Sequence, residues 1–167
     1  MNPVSAGTRA AKYADDFVAA QRQFIELIES LSDHQWRAVG KNFPERINDI
    51  DESRPVGVIA HHVADSEQFI IDRIYLMMEG KPMSPVDFTE SNARHAAQKS
   101  GVTRNEVVAL LRANEDRIAP RVRAISDDEL DVERQTPAGP ATVAQRLERV
   151  LIGHLKMHQG SIEAALS

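Results

Sequence analysis

The sequence predicts an all-α protein, specifically a four-helix bundle. Apolar residues recur at steps of three and four along four long segments, and capping or proline and glycine signals bound these segments. No alternation of polar and apolar residues lasts long enough to build a sheet. A chain of 167 residues is long enough for one well-buried core, so we expect a single domain over residues 1–167.

The first helix is predicted from Thr8 to about Leu31. A short continuation from Ser32 carries Trp36, the only tryptophan, which we expect to fill the core. The residues predicted to point inward are Phe17, Ala20, Phe24, Leu27 and Leu31.

The second helix is predicted from Arg54 to Gly80, with Pro55 well suited to a first helical position. Its inward stripe is drawn through Ile59, His62, Ser66, Phe69, Arg73 and Leu76. His61 is rotated by about 100° from His62 on a helix, so the two imidazoles do not point into one small site. We therefore interpret His62 as the inward histidine and His61 as a flanking residue.

The third helix begins at a capping-box pattern, Thr103 to Glu106. Its predicted inward residues are Val107, Leu111, Ile118, Val122 and Ile125. Asn114 lies on this stripe and could face a functional site. A second capping box, Ser126 to Glu129, predicts a short turn, and Pro137 to Pro140 reads as a loop.

The fourth helix, capped by Thr142 to Gln145, carries two histidines on its apolar face. The stripe runs through Val143, Leu147, Leu151, His154, His158, Ile162 and Ala165. Imidazoles four residues apart are a common pair of metal ligands, although buried histidines hydrogen-bonded to backbone or carboxylate give the same pattern. Because His62 is predicted as a third inward imidazole, we favour a metal site over hydrogen-bonded histidines. Three histidines without a fourth ligand resemble a catalytic zinc site, which keeps one position open.

The histidines also predict the order of the helices. His62 lies roughly 10 Å along the second helix, whereas His154 and His158 lie roughly 18 to 24 Å along the fourth. One metal can join all three only if these helices are antiparallel. The long connection from Gly80 to Val102 permits the corresponding up-down-down-up order, because a long crossover allows the second and third helices to run parallel.

Composition excludes several classes of function. The net charge is −5 and basic residues alternate with acidic ones, so we expect no nucleic-acid partner, and Arg121 and Arg123 belong to a solvated face. The chain has no cysteine, so disulfides and thiolate ligands are excluded. No apolar run is long enough for a membrane span and the N-terminus does not resemble a signal peptide, which makes a cytoplasmic location the default expectation.

Three segments resemble the DinB/YfiT-like family of four-helix proteins. They are Leu31–Trp36 (LSDHQW), Val56–Glu67 (VGVIAHHVADSE) and His154–Ile162 (HLKMHQGSI), in which Ser161 stands where the family usually has glutamine. The resemblance spans essentially the whole chain. It matches the first family ligand to His62 rather than His61.

The resemblance implies a divalent metal, commonly zinc or nickel, held by His62, His154 and His158 in a protein that is often a homodimer. It further implies thiol-dependent S-transfer to a small electrophilic substrate, with a low-molecular-weight thiol as cofactor, or hydrolysis of a small substrate. A metal-stabilised binding or dimerisation module without catalysis is the rival hypothesis. The chain lacks the His-Glu-x-x-His pattern, which disfavours peptide hydrolysis.

A general base is harder to assign from the sequence. Asp65, one turn beyond His62, could orient an imidazole or take a proton, because carboxylates commonly fix ligand histidines. It could equally face solvent. Glu67, His34 and His95 are weaker candidates.

Overall fold

The computed structural model describes residues 8–41 and 52–167 and is mostly helical. Within these ranges no helix has the length and apolar composition needed to cross a membrane. The elements are α1 (Thr8–Ser30), α2 (Asp33–Arg37), α3 (Val56–Met78), α4 (Phe88–Gln98), α5 (Arg104–Arg123), α6 (Asp127–Leu130), β1 (Glu133–Thr136), β2 (Gly139–Thr142), α7 (Val143–Arg146), a π-helical segment (Leu147–Ile152) and α8 (Gly153–Leu166).

The helix ends follow the predicted local signals. All three predicted capping boxes are present, with Thr103, Ser126 and Thr142 as N-caps. At the end of α3, Gly80 adopts a left-handed conformation with φ of 67°. Its N–H donates to the carbonyl of Met77, and that of Lys81 donates to the carbonyl of Leu76, which together satisfy the last carbonyl groups of the helix.

The core lies where the stripes of the first and third predicted helices place it. Trp36 is buried and donates its indole N–H to the carbonyl of Val102 at 3.0 Å. The largest fully buried side chains include Phe17, Phe24, Ile28, Ile59, Ile71, Ile74, Leu111, Ile118, Ile125, Leu130, Leu147 and Leu151.

The predicted inward stripe of α3 is wrong except at its beginning. The buried face runs through Val56, Ile59, Ala60, Val63, Glu67, Ile70, Ile71, Ile74 and Met77. Phe69 is 41% exposed, and His62, Ser66, Arg73 and Leu76 are only partly buried. The sequence allowed two overlapping stripes because α3 is apolar around much of its circumference. Packing of α3 against α5, α8 and the π-helical segment decides which stripe is buried.

The helix in the crossover and a β-hairpin were not predicted. The long crossover contains helix α4, which has no fully buried residue. A short antiparallel hairpin, β1 with β2, pairs Glu133 with Thr142 and Thr136 with Gly139, so the predicted loop from Pro137 to Pro140 extends into the second strand. The hairpin was not predicted because buried and exposed residues do not alternate along its strands and because its second strand contains proline.

Contacts along the helices give the direction of α1 relative to α5. Arg104, at the start of α5, donates to the carbonyl of Leu31 just after the end of α1. At the opposite end of α5, Arg123 pairs with Asp15 in the first half of α1. The two helices are therefore antiparallel.

The same reasoning shows that α3 and α5 are parallel. Asn114 donates to the carbonyl of Ala64 at 2.7 Å, and further along both helices Tyr75 donates its hydroxyl to the carbonyl of Arg121 at 2.7 Å. A parallel pair joined by the long crossover agrees with the predicted arrangement, while the complete up-down-down-up order stays a prediction.

Candidate metal centre

The structure brings His62 of α3 together with His154 and His158 of α8. The Nε2 atom of His154 lies 3.2 Å from that of His62 and 3.1 Å from that of His158. One nitrogen from each ring lies within 4.8 Å of the others, and no acidic side chain in the described ranges joins this group. The three predicted residues thus form one three-histidine cluster.

The spacing of the nitrogen atoms fits a single metal ion. Zinc binds imidazole nitrogen at about 2.0–2.1 Å, which separates two tetrahedral ligands by about 3.3 Å. Neighbouring octahedral ligands at the same bond length are about 2.9 Å apart. The observed separations of 3.1 and 3.2 Å lie between these values. The cluster could therefore hold a metal in either geometry.

Hydrogen bonding among the imidazoles does not account for this arrangement. An imidazole nitrogen carries either one hydrogen or one in-plane lone pair. His154 Nε2 can therefore form one hydrogen bond, although it has two Nε2 neighbours within 3.2 Å. A cation placed among the three rings uses all three lone pairs at once, so the geometry fits a metal better than it fits a hydrogen-bonded trio.

Burial keeps the His62 ring neutral. It lowers the pKa of His62 far below the usual range, and the neighbouring His154 and His158 rings lower it further. His158 is completely buried, whereas His154 is only partly buried. A neutral imidazole has the free lone pair that a metal ligand needs.

A π-helical segment sets the direction of the histidine pair. The N–H of Gly153 donates to the carbonyl of Glu148, five residues earlier, where an α-helix would use the fourth. A π turn contains an extra residue and rotates the chain that follows it. His154 comes directly after this turn, so its orientation depends on an irregularity that the regular stripe did not predict.

Glu52 is a site residue that the sequence analysis missed. Its Oε1 lies 2.8 Å from His158 Nδ1, and both side chains are completely buried. Arg54 lies near the same carboxylate oxygen, with an Nη2 to Oε1 distance of 3.5 Å. A proton on His158 Nδ1 would face this carboxylate and leave Nε2 unprotonated toward the cluster, as in many carboxylate–histidine–metal arrangements.

A short backbone bridge brings the Glu52 segment to the cluster. Gly40 N–H donates to the carbonyl of Arg54 at 2.8 Å, and Val56 N–H donates to that of Ala38 at 2.8 Å. A Cβ atom on Gly40 would lie 2.5 Å from the Glu52 carbonyl oxygen, so only glycine permits this approach. No local sequence signal indicates the pairing, because it joins segments on either side of residues 42–51.

A second pair of histidines borders the cluster. His61 Nδ1 lies 2.7 Å from Nε2 of His95, which is carried by α4 on the crossover. The His95 ring also lies edge-on to His62, with 5.7 Å between ring centres. Burial, and next the nearby His61, lower the pKa of His95 to about 4. His61 is thus more than a flanking residue, and His95 reaches the site because the crossover folds back.

The other candidates lie elsewhere. Asp65 is exposed, and its charge acts on His61 and His95. Its predicted role as orienting group or base stays a prediction. His34 is exposed on α2. Asn114, which could have faced a functional site, does not face the three-histidine cluster. It donates instead to the Ala64 carbonyl and to Glu67.

Glu67, Gln21 and Asn114 form a separate buried group, the Glu67 cluster. Glu67 Oε2 accepts hydrogen bonds from Gln21 at 2.9 Å and from Asn114 at 2.8 Å. Burial raises the pKa of Glu67 to about 8, although these two hydrogen bonds act in the opposite direction. The cluster joins α1, α3 and α5 and takes no part in the three-histidine cluster.

Comparison with known proteins identifies the family. The model of the DinB superfamily matches residues 16–162, which is most of the chain and includes all three histidines of the cluster. No curated protein and no solved structure shows a significant match. The extent of the family match, together with the helical fold, shows that the chain belongs to the DinB superfamily.

Proposed function

We propose that the protein binds one divalent metal, zinc or nickel, through His62, His154 and His158. The observation that carries this proposal is the convergence of three imidazole nitrogen atoms within 4.8 Å. We further propose that it is an enzyme of the thiol-dependent S-transferase type, acting on a small electrophile with a low-molecular-weight thiol. The complete up-down-down-up order and a homodimeric assembly belong to the same proposal.

The ligand set supports a catalytic rather than a purely structural site. Described residues supply three nitrogen ligands and no fourth side chain, which is typical of sites that keep a position for substrate or water. When bound, such a metal supplies Lewis acidity that lowers the pKa of a thiol or a water molecule. Because the chain has no cysteine, any reacting thiol comes from outside it.

The protein's own residues then have separate roles. The Glu52 carboxylate, 2.8 Å from His158 Nδ1, would orient this ring. His95 is the candidate for a hydrogen bond to the nucleophile, because its Nδ1 is buried without a partner among the described residues and its ring adjoins His62. We expect His95→Phe to reduce turnover while the metal content stays unchanged.

Metal analysis tests the binding step. We expect about one metal per chain in the purified protein and almost none in His62→Ala, His154→Ala or His158→Ala. His34→Ala is the matched control, because this histidine is exposed and lies outside the cluster. Unchanged metal content in all three cluster variants would contradict the proposed site.

A screen of small electrophiles with and without glutathione, bacillithiol or mycothiol tests the reaction. S-transfer predicts turnover that requires both thiol and metal and that is lost in His62→Ala. Hydrolysis of an ester or amide with metal alone would assign the site to a metal-dependent hydrolase instead. If azide never perturbs the spectrum of the cobalt-substituted protein, a non-catalytic module is the better account.

A further inference from the structure

The partly exposed face of α3 extends from the three-histidine cluster to a positively charged end. His62, Ser66, Phe69 and Arg73 follow one another at steps of four, three and four, so they share one side of the helix. Phe69 is 41% exposed, and the guanidinium of Arg73 lies 5.1 Å from the centre of its ring. Arg73 also donates to the carbonyl of Ser84 at 3.0 Å, which holds the side chain in place.

The C-terminal helical segment runs beside this face, since α3 packs against both α7 and α8. His62 meets His154 at one end of the contact. At the other end α3 packs against α7, which carries Arg146, and Arg73 lies on the face of α3 that it shares with His62. The pKa of the Arg146 guanidinium is lowered first by burial and then by the charge of Arg73, which agrees with this placement. One surface strip therefore joins the histidines to two neighbouring arginines.

Arg146 differs from the arginines that pair with acidic side chains. Arg9, Arg22 and Arg112, for example, each pair with an acidic side chain. Arg146 is partly buried, and none of the ion pairs among the described residues includes it. A partly buried cation without a counter-charge is unfavourable, and a bound anion removes that cost.

We propose that Arg73 and Arg146 form a subsite for the oxyanion, a carboxylate or a phosphate, of an elongated small molecule whose reactive end lies at the three-histidine cluster. Arg73 follows His62 by 11 residues, which is about 16 Å of helix axis. Arginine binds both oxyanions through paired N–H groups. The position of the ligand's reactive end at the three-histidine cluster rests on the proposed function. The affinity of the two arginines for an anion does not depend on that function.

Two probes test the subsite. The first is inorganic phosphate, titrated into chelated, metal-free protein and followed by 31P NMR. The second is 8-mercaptooctanoate on the metal-loaded protein, compared with 8-mercapto-1-octanol, which lacks the carboxylate. The variants are Arg73→Gln, Arg146→Gln and the double variant. Arg149→Gln is the matched control, since Arg149 is an exposed arginine three residues further along the same helical segment.

We expect phosphate to bind the parent and Arg149→Gln, and to bind the double variant about tenfold more weakly or worse. The thiol acid should bind more tightly than the thiol alcohol only while both arginines are present. Equal phosphate binding by parent and double variant, with both shown to be folded by circular dichroism, overturns the subsite. Loss of metal binding alone, with phosphate binding retained, overturns the proposed function and leaves the subsite standing.

Discussion

The three-histidine cluster and the Glu67 cluster are both polar groups inside a helical protein, yet they are built in opposite ways. In the Glu67 cluster, side-chain amides of Gln21 and Asn114 donate to one carboxyl oxygen of Glu67. In the three-histidine cluster, like nitrogen atoms converge at 3.1 and 3.2 Å, although one imidazole nitrogen can form only one hydrogen bond.

This difference distinguishes a structural group from a candidate ligand site. Buried polar groups are normally satisfied by complementary partners, as Glu67 Oε2 is. Three imidazole nitrogen atoms that converge on one point cannot all pair with one another, whereas a cation among them would interact with all three lone pairs. The Glu67 cluster should therefore contribute to stability without metal, whereas the contribution of the three-histidine cluster should depend on metal.

Metal removal is expected to produce the largest effect. Binding to the folded state alone adds about 4 kcal/mol when free metal exceeds Kd 1,000-fold, so chelation should lower the melting temperature by roughly 8–16 °C. Calorimetry with and without chelator measures this shift. In His154→Ala the chelator should have no effect, and an equal shift in that variant would place the metal elsewhere.

Breaking the Glu67 cluster should destabilise the protein whether or not metal is present. Asn114→Ala removes donors to Glu67 and to the Ala64 carbonyl, and leaving such buried groups without partners costs about 1–3 kcal/mol. Urea denaturation should show this loss equally with metal and with chelator. A loss seen only in the presence of metal would mean that the two clusters are coupled.

Removing the Glu52 carboxylate should weaken metal binding without abolishing it. Carboxylates that orient ligand histidines typically change metal affinity by 10- to 100-fold, or about 1.4–2.7 kcal/mol. Competition with a chromophoric chelator measures this change in Glu52→Gln. Asp65→Asn is the control, because Asp65 is exposed, and a larger effect there than in Glu52→Gln would reverse the assignment of the orienting carboxylate.

The pH dependence of stability should identify Glu67. Its pKa of about 8 in the folded protein exceeds the usual 4.5, so the folded state binds more protons between these values. The contribution of Glu67 to the free energy of unfolding should therefore be greatest below about pH 4.5. It should fall as the pH rises toward 8, by at most about 1.4 kcal/mol per pH unit. Denaturation in excess chelator should show this slope in the parent and not in Glu67→Gln. Identical slopes would mean that Glu67 is ionised in the folded protein.

Local signals predicted much of the helical structure. The capping boxes at Thr103, Ser126 and Thr142 are present because each depends on residues only three positions apart. The stripe of α3 failed, since its apolar residues permitted two inward faces. Helix α4 was missed for a related reason, because it is held against the protein without burying an apolar stripe of its own.

By itself, the sequence determined the helical class, most helix ends and the three histidines that meet, because helical periodicity and side-chain chemistry are local properties. Only the tertiary structure decided their surroundings. Glu52 meets His158 across 106 residues of chain, His95 reaches His61 through the folded crossover, and α3, which carries Arg73, packs against α7, which carries Arg146. Such contacts depend on how helices and strands pack against one another. Sequence patterns over a few residues contain no information about that packing.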